Sequence, residues 1–155
     1  MSKGNVLAKY RVDVASGKIS EDSEQVRIVG ELQRLWNELE ETARQGRGFR
    51  NQVKRALGRP NETPCKGLYL WGGVGRGKTY LMDLFFDSVD SVPKRRTHFH
   101  RFMQEVHQRL VVLQGNKNPL VCIADELAKE AKLLCFDEFF VQDIADAMLL
   151  AGLLE

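Results

Sequence analysis

The sequence has few cysteines and prolines and no long hydrophobic run. Its 155 residues include 3 cysteines and 4 prolines. No apolar run approaches the roughly 18 residues of a membrane span, and the N-terminal residues lack the apolar core of a signal peptide. The cysteines Cys65, Cys122 and Cys135 show no CxxC spacing, which argues against a disulfide framework or a cysteine-rich zinc site. These absences favour a protein of the reducing cytoplasm.

The chain also lacks a strong excess of charge of either sign. Lys and Arg total 23, Asp and Glu total 21, and the formal net charge is +2. A balance this close does not indicate a nucleic-acid-binding or membrane-binding surface. Hydrophobic residues make up 43% and charged residues 28% of the chain, which is typical of a globular domain with its own core.

Basic residues are concentrated in one stretch, between Arg44 and Arg59, which contains no acid. Glycines interrupt this stretch and Pro60 follows it, which is typical of a linker. We therefore expect a helical preface and basic linker over 1–66, and the main domain over 67–155. A contact for an acidic partner, nucleic acid or anionic lipid remains an alternative for this stretch. Its basic residues are Arg44, Arg47, Arg50, Lys54, Arg55 and Arg59.

The preface contains one strongly amphipathic pattern. Asp22 followed by Gln25 resembles a capping box and predicts a helix that begins near residue 23. Apolar residues then recur at spacings of three and four, which is typical of one buried helix face. They are Ile28, Val29, Leu32, Leu35, Trp36 and Leu39.

From residue 67 onward, apolar runs of strand length alternate with helical patterns. Strands are predicted over 67–71, 97–101 and 133–136, and helices over 78–88, from Met103 to Leu113, from Pro119 to Ala131 and over 143–153. The three basic residues at 94–96, after Pro93, predict an exposed loop. Strands that alternate with helices indicate an α/β fold with a parallel sheet and helices on both faces.

The most specific motif follows the first predicted strand and has the pattern GxxxxGK[ST]. Glycines let successive backbone N–H groups point at phosphate oxygens, and the following helix adds the positive end of its dipole. Lys78 would place a cation between the β- and γ-phosphates, and the Thr79 hydroxyl would bind Mg²⁺. The predicted nucleotide loop is Gly72, Gly73, Val74, Gly75, Arg76, Gly77, Lys78 and Thr79.

A pair of acids ends the third predicted strand. Asp137 and Glu138 follow the apolar run LLCF, 59 residues after Lys78. An aspartate here can hold magnesium, and an adjacent glutamate can orient and deprotonate an attacking water. We therefore predict Asp137 as a magnesium ligand and Glu138 and Lys78 as catalytic residues. The acid pair favours hydrolysis over phosphate transfer by a small-molecule kinase.

Other polar residues carry weaker signals. His98 and His100 lie two apart and His107 follows, but no further ligand completes a tetrahedral metal set, so histidines that are packed or lie next to the nucleotide are favoured. Asp143 is interpreted as a helix cap, with contact to a neighbouring subunit as the alternative for Asp143 and Asp146.

Three segments, GLYLWGGVGRGKTYLMDLFF, HFHRFM and LCFDEFFVQDIADAMLL, closely resemble the ZapE family of AFG-type P-loop ATPases. The resemblance runs from about Tyr10 to the last residue. It implies an AAA+-like ATPase that uses ATP and magnesium, with Gly72–Thr79, Asp137 and Glu138 in the roles given above. It also implies a homo-oligomer, a protein partner such as the FtsZ filaments of the bacterial division ring, and a cytoplasmic location, with association at the inner face of the membrane possible.

Relatives in that family continue past the second acidic motif, and we therefore expect this chain to be an N-terminal fragment, truncated after the third core strand and incomplete as an ATPase. In the strand order 5-1-4-3-2 expected for such sheets, strand 4 separates the loop strand from the Asp137 strand. Two other functions stay open: a DNA-associated ATPase of the helicase-loader kind and a non-catalytic, nucleotide-gated adaptor.

Overall fold

The computed structural model describes residues 5–46, 65–73 and 77–154. The chain divides into two compact units, Met1–Val92 and Pro93–Glu155, and each is described by itself. In the described residues, no helix is both long enough and apolar enough to cross a membrane.

The described part of the first unit contains three helices that contact one another. They are α1 (Val6–Ala15), α2 (Ser23–Gly46) and α3 (Lys78–Phe86). Their apolar faces supply the buried residues Val6, Tyr10, Val29, Leu32, Leu35, Leu39, Leu81, Leu84 and Phe85. The predicted helix in the preface and the one after the loop are thus confirmed as α2 and α3, because their three-and-four spacing aligns apolar side chains on one face. The helix α1 was not predicted.

Asp22 determines where α2 begins. Its carboxylate accepts hydrogen bonds from the backbone N–H groups of Glu24 at 2.8 Å and of Gln25 at 3.4 Å. Asp22 thereby satisfies two of the N–H groups that the first turn of a helix leaves unpaired. This confirms the predicted start of α2.

The predicted strand over 67–71 is wrong: residues 65–73 form neither helix nor strand. Tyr69 is 64% and Trp71 83% exposed, although the apolar run indicated a strand buried on both faces. A strand requires a neighbour that accepts its backbone hydrogen bonds and covers its side chains. Among the described residues, the two strands that form pair with each other and leave this segment without a partner strand.

The second unit has the element order β1 (Lys94–His98), α4 (Phe99–Val112), α5 (Pro119–Glu130), β2 (Leu133–Asp137) and α6 (Ile144–Leu154). β1 and β2 are parallel, and His98 lies opposite Asp137 at the carboxyl end of the pair. The predicted parallel sheet is therefore present, with two strands in the described residues.

One hydrophobic cluster joins the three helices of the second unit. Its buried members are Phe99, Phe102, Met103, Val106, Ile123, Leu127 and Leu150. Phe136 of β2 packs against this cluster with its ring centroid 4.8 Å from that of Phe102. The packing fixes the end of β2, where the predicted acids begin.

Two helix starts in this unit agree with the sequence-based interpretation. Pro119 occupies the first turn of α5, directly after Asn118 at the cap. The Asp143 carboxylate accepts a hydrogen bond from the backbone N–H of Ala145 at 2.9 Å, at the start of α6. Helix capping therefore accounts for Asp143.

The expected loop at 94–96 is instead the first part of β1, and the strand predicted over 97–101 ends at His98. The reason lies in the partners of the two arginines. Arg95 forms ion pairs with Glu105 and Glu130, and Arg96 forms one with Asp137. Paired in this way, both guanidinium groups are tolerated on a half-buried strand.

Candidate functional site

The nucleotide loop is described at both of its ends. Gly72, Gly73, Gly77, Lys78 and Thr79 are described, while the predicted loop residues Val74, Gly75 and Arg76 lie outside the described residues. Lys78 begins α3, and the exposed Thr79 follows it in the first turn. The strand expected before the loop is absent, but the loop-to-helix half of the motif is in place.

The backbone conformation at position 77 favours glycine, which has no side chain. Its φ of +74° lies in the left-handed region. A Cβ atom at Gly77 would lie 2.9 Å from Nε2 of Gln25, which α2 contributes. Gly77 caps α3 without a side-chain hydrogen bond, so the amino end of the helix is suited to an anion.

Lys78 folds back over the start of the loop. Its ammonium group donates hydrogen bonds to the carbonyl oxygens of Gly72 at 2.8 Å and Gly73 at 2.6 Å. The positive charge is therefore held beside the loop backbone and the first turn of α3. A cation in this position is suited to phosphate oxygens, and the predicted contact of Lys78 with the β- and γ-phosphates stays a prediction.

The N-terminal helices contact both ends of α3. Near its start, the Tyr80 hydroxyl donates to the Asp13 carboxylate at 2.7 Å. Past its end, Lys9 donates to the carbonyl oxygen of Asp87 and the Trp36 indole to that of Ser88, both at 2.8 Å. Burial and Asp13 raise the pKa of Tyr80, and the hydrogen bond from Tyr80 lowers the pKa of Asp13. The preface thus fixes the helix that follows the loop.

The predicted acids lie at the carboxyl end of β2, in the second unit. Asp137 is the last residue of the strand and Glu138 follows it, exposed, with a φ of 52°. A left-handed backbone is unfavourable for a residue with a side chain and often marks a functional position. The structure thus places the two acids side by side where a strand ends.

Asp137 has a partner that the sequence analysis missed. Nε of Arg96 lies 2.7 Å from Oδ2 of Asp137, and Nη2 lies 3.0 Å from Oδ1. This guanidinium holds the pKa of the Asp137 carboxyl below its usual range. The sequence contained one signal for the pair, an arginine on the strand preceding the acid-bearing strand, but the basic cluster obscured it.

The donor chemistry of Thr79 and Asp137 fits magnesium. Mg²⁺ prefers hard oxygen ligands and retains several waters, and these residues supply a hydroxyl and an ionised carboxylate. Asp137 keeps acceptor capacity beyond the two bonds from Arg96, because a carboxylate has about four lone-pair positions. Thr79 and Asp137 belong to different units, and their binding of one metal ion stays a prediction.

The histidines show no metal site. The exposed His98 and His100 rings stack with centroids 5.8 Å apart, and Nε2 of His107 lies 2.7 Å from Oδ1 of Asp146. In the part of the chain that the structure describes, no three His, Cys, Asp or Glu side chains form a group that could hold a metal ion.

A glycine loop leading into a helix through Lys-Thr, and an acid pair ending a parallel strand, are features of the P-loop class of α/β proteins. A sequence model described as "AFG1-like ATPase" matches residues 5–155, and the chain belongs to this family. The chain is 45% identical over 154 residues to the Escherichia coli K12 protein named "Cell division protein ZapE", covering 96% of this chain and 41% of that protein. No solved structure matches the chain.

A second relative comes from zebrafish. The Danio rerio protein named "Lactation elevated protein 1 homolog B" is 45% identical over 103 residues, which cover 59% of this chain and 20% of that protein. The chain therefore spans well under half the length of these relatives.

Proposed function

We propose that the protein binds ATP with magnesium and hydrolyses it. The observation that carries the proposal is Lys78 at the start of α3, with its ammonium group held by the carbonyl oxygens of Gly72 and Gly73. Membership of the AFG1-like ATPase family supports the same activity. Backbone N–H groups of residues 72–79 would bind the phosphates, and Lys78 would neutralise their charge.

The acids would complete the reaction on the same nucleotide. Thr79 and Asp137 would hold magnesium, which on binding neutralises phosphate charge. Glu138 would orient a water and accept its proton as that water attacks the γ-phosphate. An exposed carboxylate directly after the strand end suits this role, because it is accessible to water and to a ligand.

Hydrolysis would act on a protein partner. The E. coli relative is named a cell division protein, and the resemblance in sequence implies a partner such as FtsZ filaments. We propose a role in division for the whole protein, as a cytoplasmic homo-oligomer at the division site or the inner face of the membrane. The alternatives are a helicase-loader-like ATPase that acts with DNA and an adaptor that binds nucleotide without hydrolysing it.

Glu138→Gln tests the hydrolytic role of the acid pair. The variant should bind ATP as the wild type does, while the rate of phosphate release falls about 100-fold or more. Asp143→Asn is the matched control, because asparagine caps α6 as aspartate does and the rate should not change. Phosphate release at the wild-type rate from Glu138→Gln would remove Glu138 from the reaction. Biological activity of the whole protein that survives Glu138→Gln but is lost in Lys78→Ala would favour the adaptor.

A further inference from the structure

Arg96 contacts the predicted magnesium ligand through two hydrogen bonds. Nε and Nη2 bind one oxygen each of Asp137, at 2.7 and 3.0 Å, so the planes of the two groups define one orientation of the carboxylate. Both side chains are about one-quarter exposed, at 25% and 24%. The pair is therefore partly shielded from water, and its geometry is more specific than that of a mobile surface ion pair.

The register of the sheet explains how Arg96 reaches Asp137. In the parallel pair, Arg96 lies opposite Cys135, and His98 lies opposite Asp137. Arg96 and His98 are two apart and share a face of β1. The long arginine side chain extends along that face to the strand end, where it reaches both oxygens of Asp137.

The neighbouring Arg95 shows that the contact is selective. Arg95 points to the other face of β1 and pairs with Glu105 of α4 and Glu130 of α5. Those contacts join elements of the unit, and none of the three side chains belongs to the predicted site. Only one of the two adjacent arginines holds a predicted site residue.

We propose that Arg96 is the positioning residue of Asp137 and sets how tightly magnesium binds with the nucleotide. Arg96 does this in two separable ways, and the inference rests on the proposed function. The two hydrogen bonds from its planar guanidinium hold the Asp137 carboxylate in one orientation, and turnover requires that orientation. Its positive charge competes with the metal for the Asp137 oxygens and thereby weakens metal binding.

Two substitutions separate geometry from charge. Arg96→Gln removes the charge, and Arg96→Lys keeps the charge but cannot form the planar two-bond fork. Arg95→Gln is the matched control, since it breaks an ion pair on the same strand without touching Asp137. The probe is Mn²⁺, and electron paramagnetic resonance measures its binding. A non-hydrolysable ATP analogue is present, so that metal binding is measured without turnover.

Opposite changes in affinity and rate are expected. Arg96→Gln should bind Mn²⁺ about fivefold more tightly, because a partly exposed competing charge is lost, and should release phosphate from ATP about tenfold more slowly. Arg96→Lys should bind Mn²⁺ as the wild type does and also turn over about tenfold more slowly. Arg95→Gln should change neither quantity, and amide hydrogen exchange should show that every variant is folded.

The outcomes separate this inference from the proposed function. A wild type that binds Mn²⁺ with the analogue, together with unchanged Mn²⁺ affinity in Arg96→Gln, would overturn the role of Arg96 alone. Equal losses of affinity and rate in Arg96→Gln and Arg95→Gln would show a merely structural arginine and would also overturn it. A wild type that binds no Mn²⁺ with the analogue would overturn the proposed function and the role of Arg96 with it.

Discussion

At the scale of single residues, Glu138 combines a strained backbone with the chemistry assigned to it. Its φ of 52° is a conformation that glycine adopts more readily. Natural sequences keep such strain where function requires the side chain. The conformation of the turn favours glycine, so the predicted role of the carboxylate would account for a glutamate at this position.

Glu138→Gly should separate the two effects. The substitution relieves the left-handed strain and should raise the free energy of unfolding by about 0.5 to 1 kcal/mol, while phosphate release is lost. Glu138→Gln keeps the strain and should leave stability unchanged. Urea denaturation measures both variants, and a less stable Glu138→Gly would contradict the strain at this position.

Cys135 is a residue for which burial controls reactivity. It is 5% exposed, and burial raises the pKa of its thiol to about 11. The thiol stays protonated at pH 8, and the thiolate is the reactive form. Alkylation of the native chain at pH 8 should therefore label Cys65 and Cys122, which are partly exposed, and label Cys135 only after unfolding. Equal labelling of all three, read by peptide mass spectrometry, would contradict the burial.

At the scale of secondary structure elements, ion pairs connect β1 with the helices of the second unit. Glu105 of α4 accepts from Arg95 and also from Arg109, and Arg109 reaches Glu126 and Glu130 of α5. The bonds from Arg95 and Arg109 hold the pKa of Glu105 below its usual range. Folding therefore favours the ionised form of this carboxyl.

This shift predicts a pH dependence for Glu105→Gln. A carboxyl whose pKa is lowered by folding stabilises the native state above its unfolded pKa, and the contribution is lost as pH falls through the folded pKa. The substitution should cost about 1 kcal/mol at pH 7, and this difference should shrink as pH falls below about 4. The midpoints of urea denaturation of the wild type and of Glu105→Gln, compared across the pH range, measure this difference in stability.

Glu126→Gln is the matched control for Glu105→Gln. Among the residues that the structure describes, Glu126 pairs with Arg109, and its side chain is 54% exposed, so water screens the pair. Glu126→Gln should therefore lower the free energy of unfolding less than Glu105→Gln does, at every pH. A cost for Glu105→Gln that did not depend on pH would contradict the ionic origin of the stabilisation.

Most of the helices were predictable from the sequence, whereas α1 and the absence of a strand over 67–71 were not. The apolar stripe of α2 and the cap at Asp22 depend on neighbours a few residues away, which the sequence states directly. The strand expected over 67–71 depends on a partner strand elsewhere in the chain, and no local pattern contains that information. The same limit hid Arg96, because three consecutive basic residues at 94–96 are locally typical of a loop. The acidic partners of Arg95 and Arg96 lie 10 to 41 residues away in the sequence.

At the scale of the whole molecule, each site motif has a described place in its own unit, and the arrangement of the two motifs around one nucleotide stays a prediction. Lys78 and Asp137 lie where the sequence places them, at the start of a helix and at the end of a strand. The two motifs belong to different compact units, so their action on one nucleotide stays a prediction. The domain boundary between residues 66 and 67 also stays a prediction. The same holds for the roles assigned to residues 72–79.

The central claim is that the loop before α3 binds the phosphates of ATP through Lys78. Calorimetric titration of ATP with magnesium into the wild type, Lys78→Ala and Lys66→Ala tests it most directly. Lys66 is an exposed lysine of the same unit, and its loss should leave binding unchanged. The account predicts that Lys78→Ala weakens ATP binding about tenfold or more, as expected for losing a charged hydrogen-bond donor. Equal ATP affinity for the wild type and Lys78→Ala would contradict it.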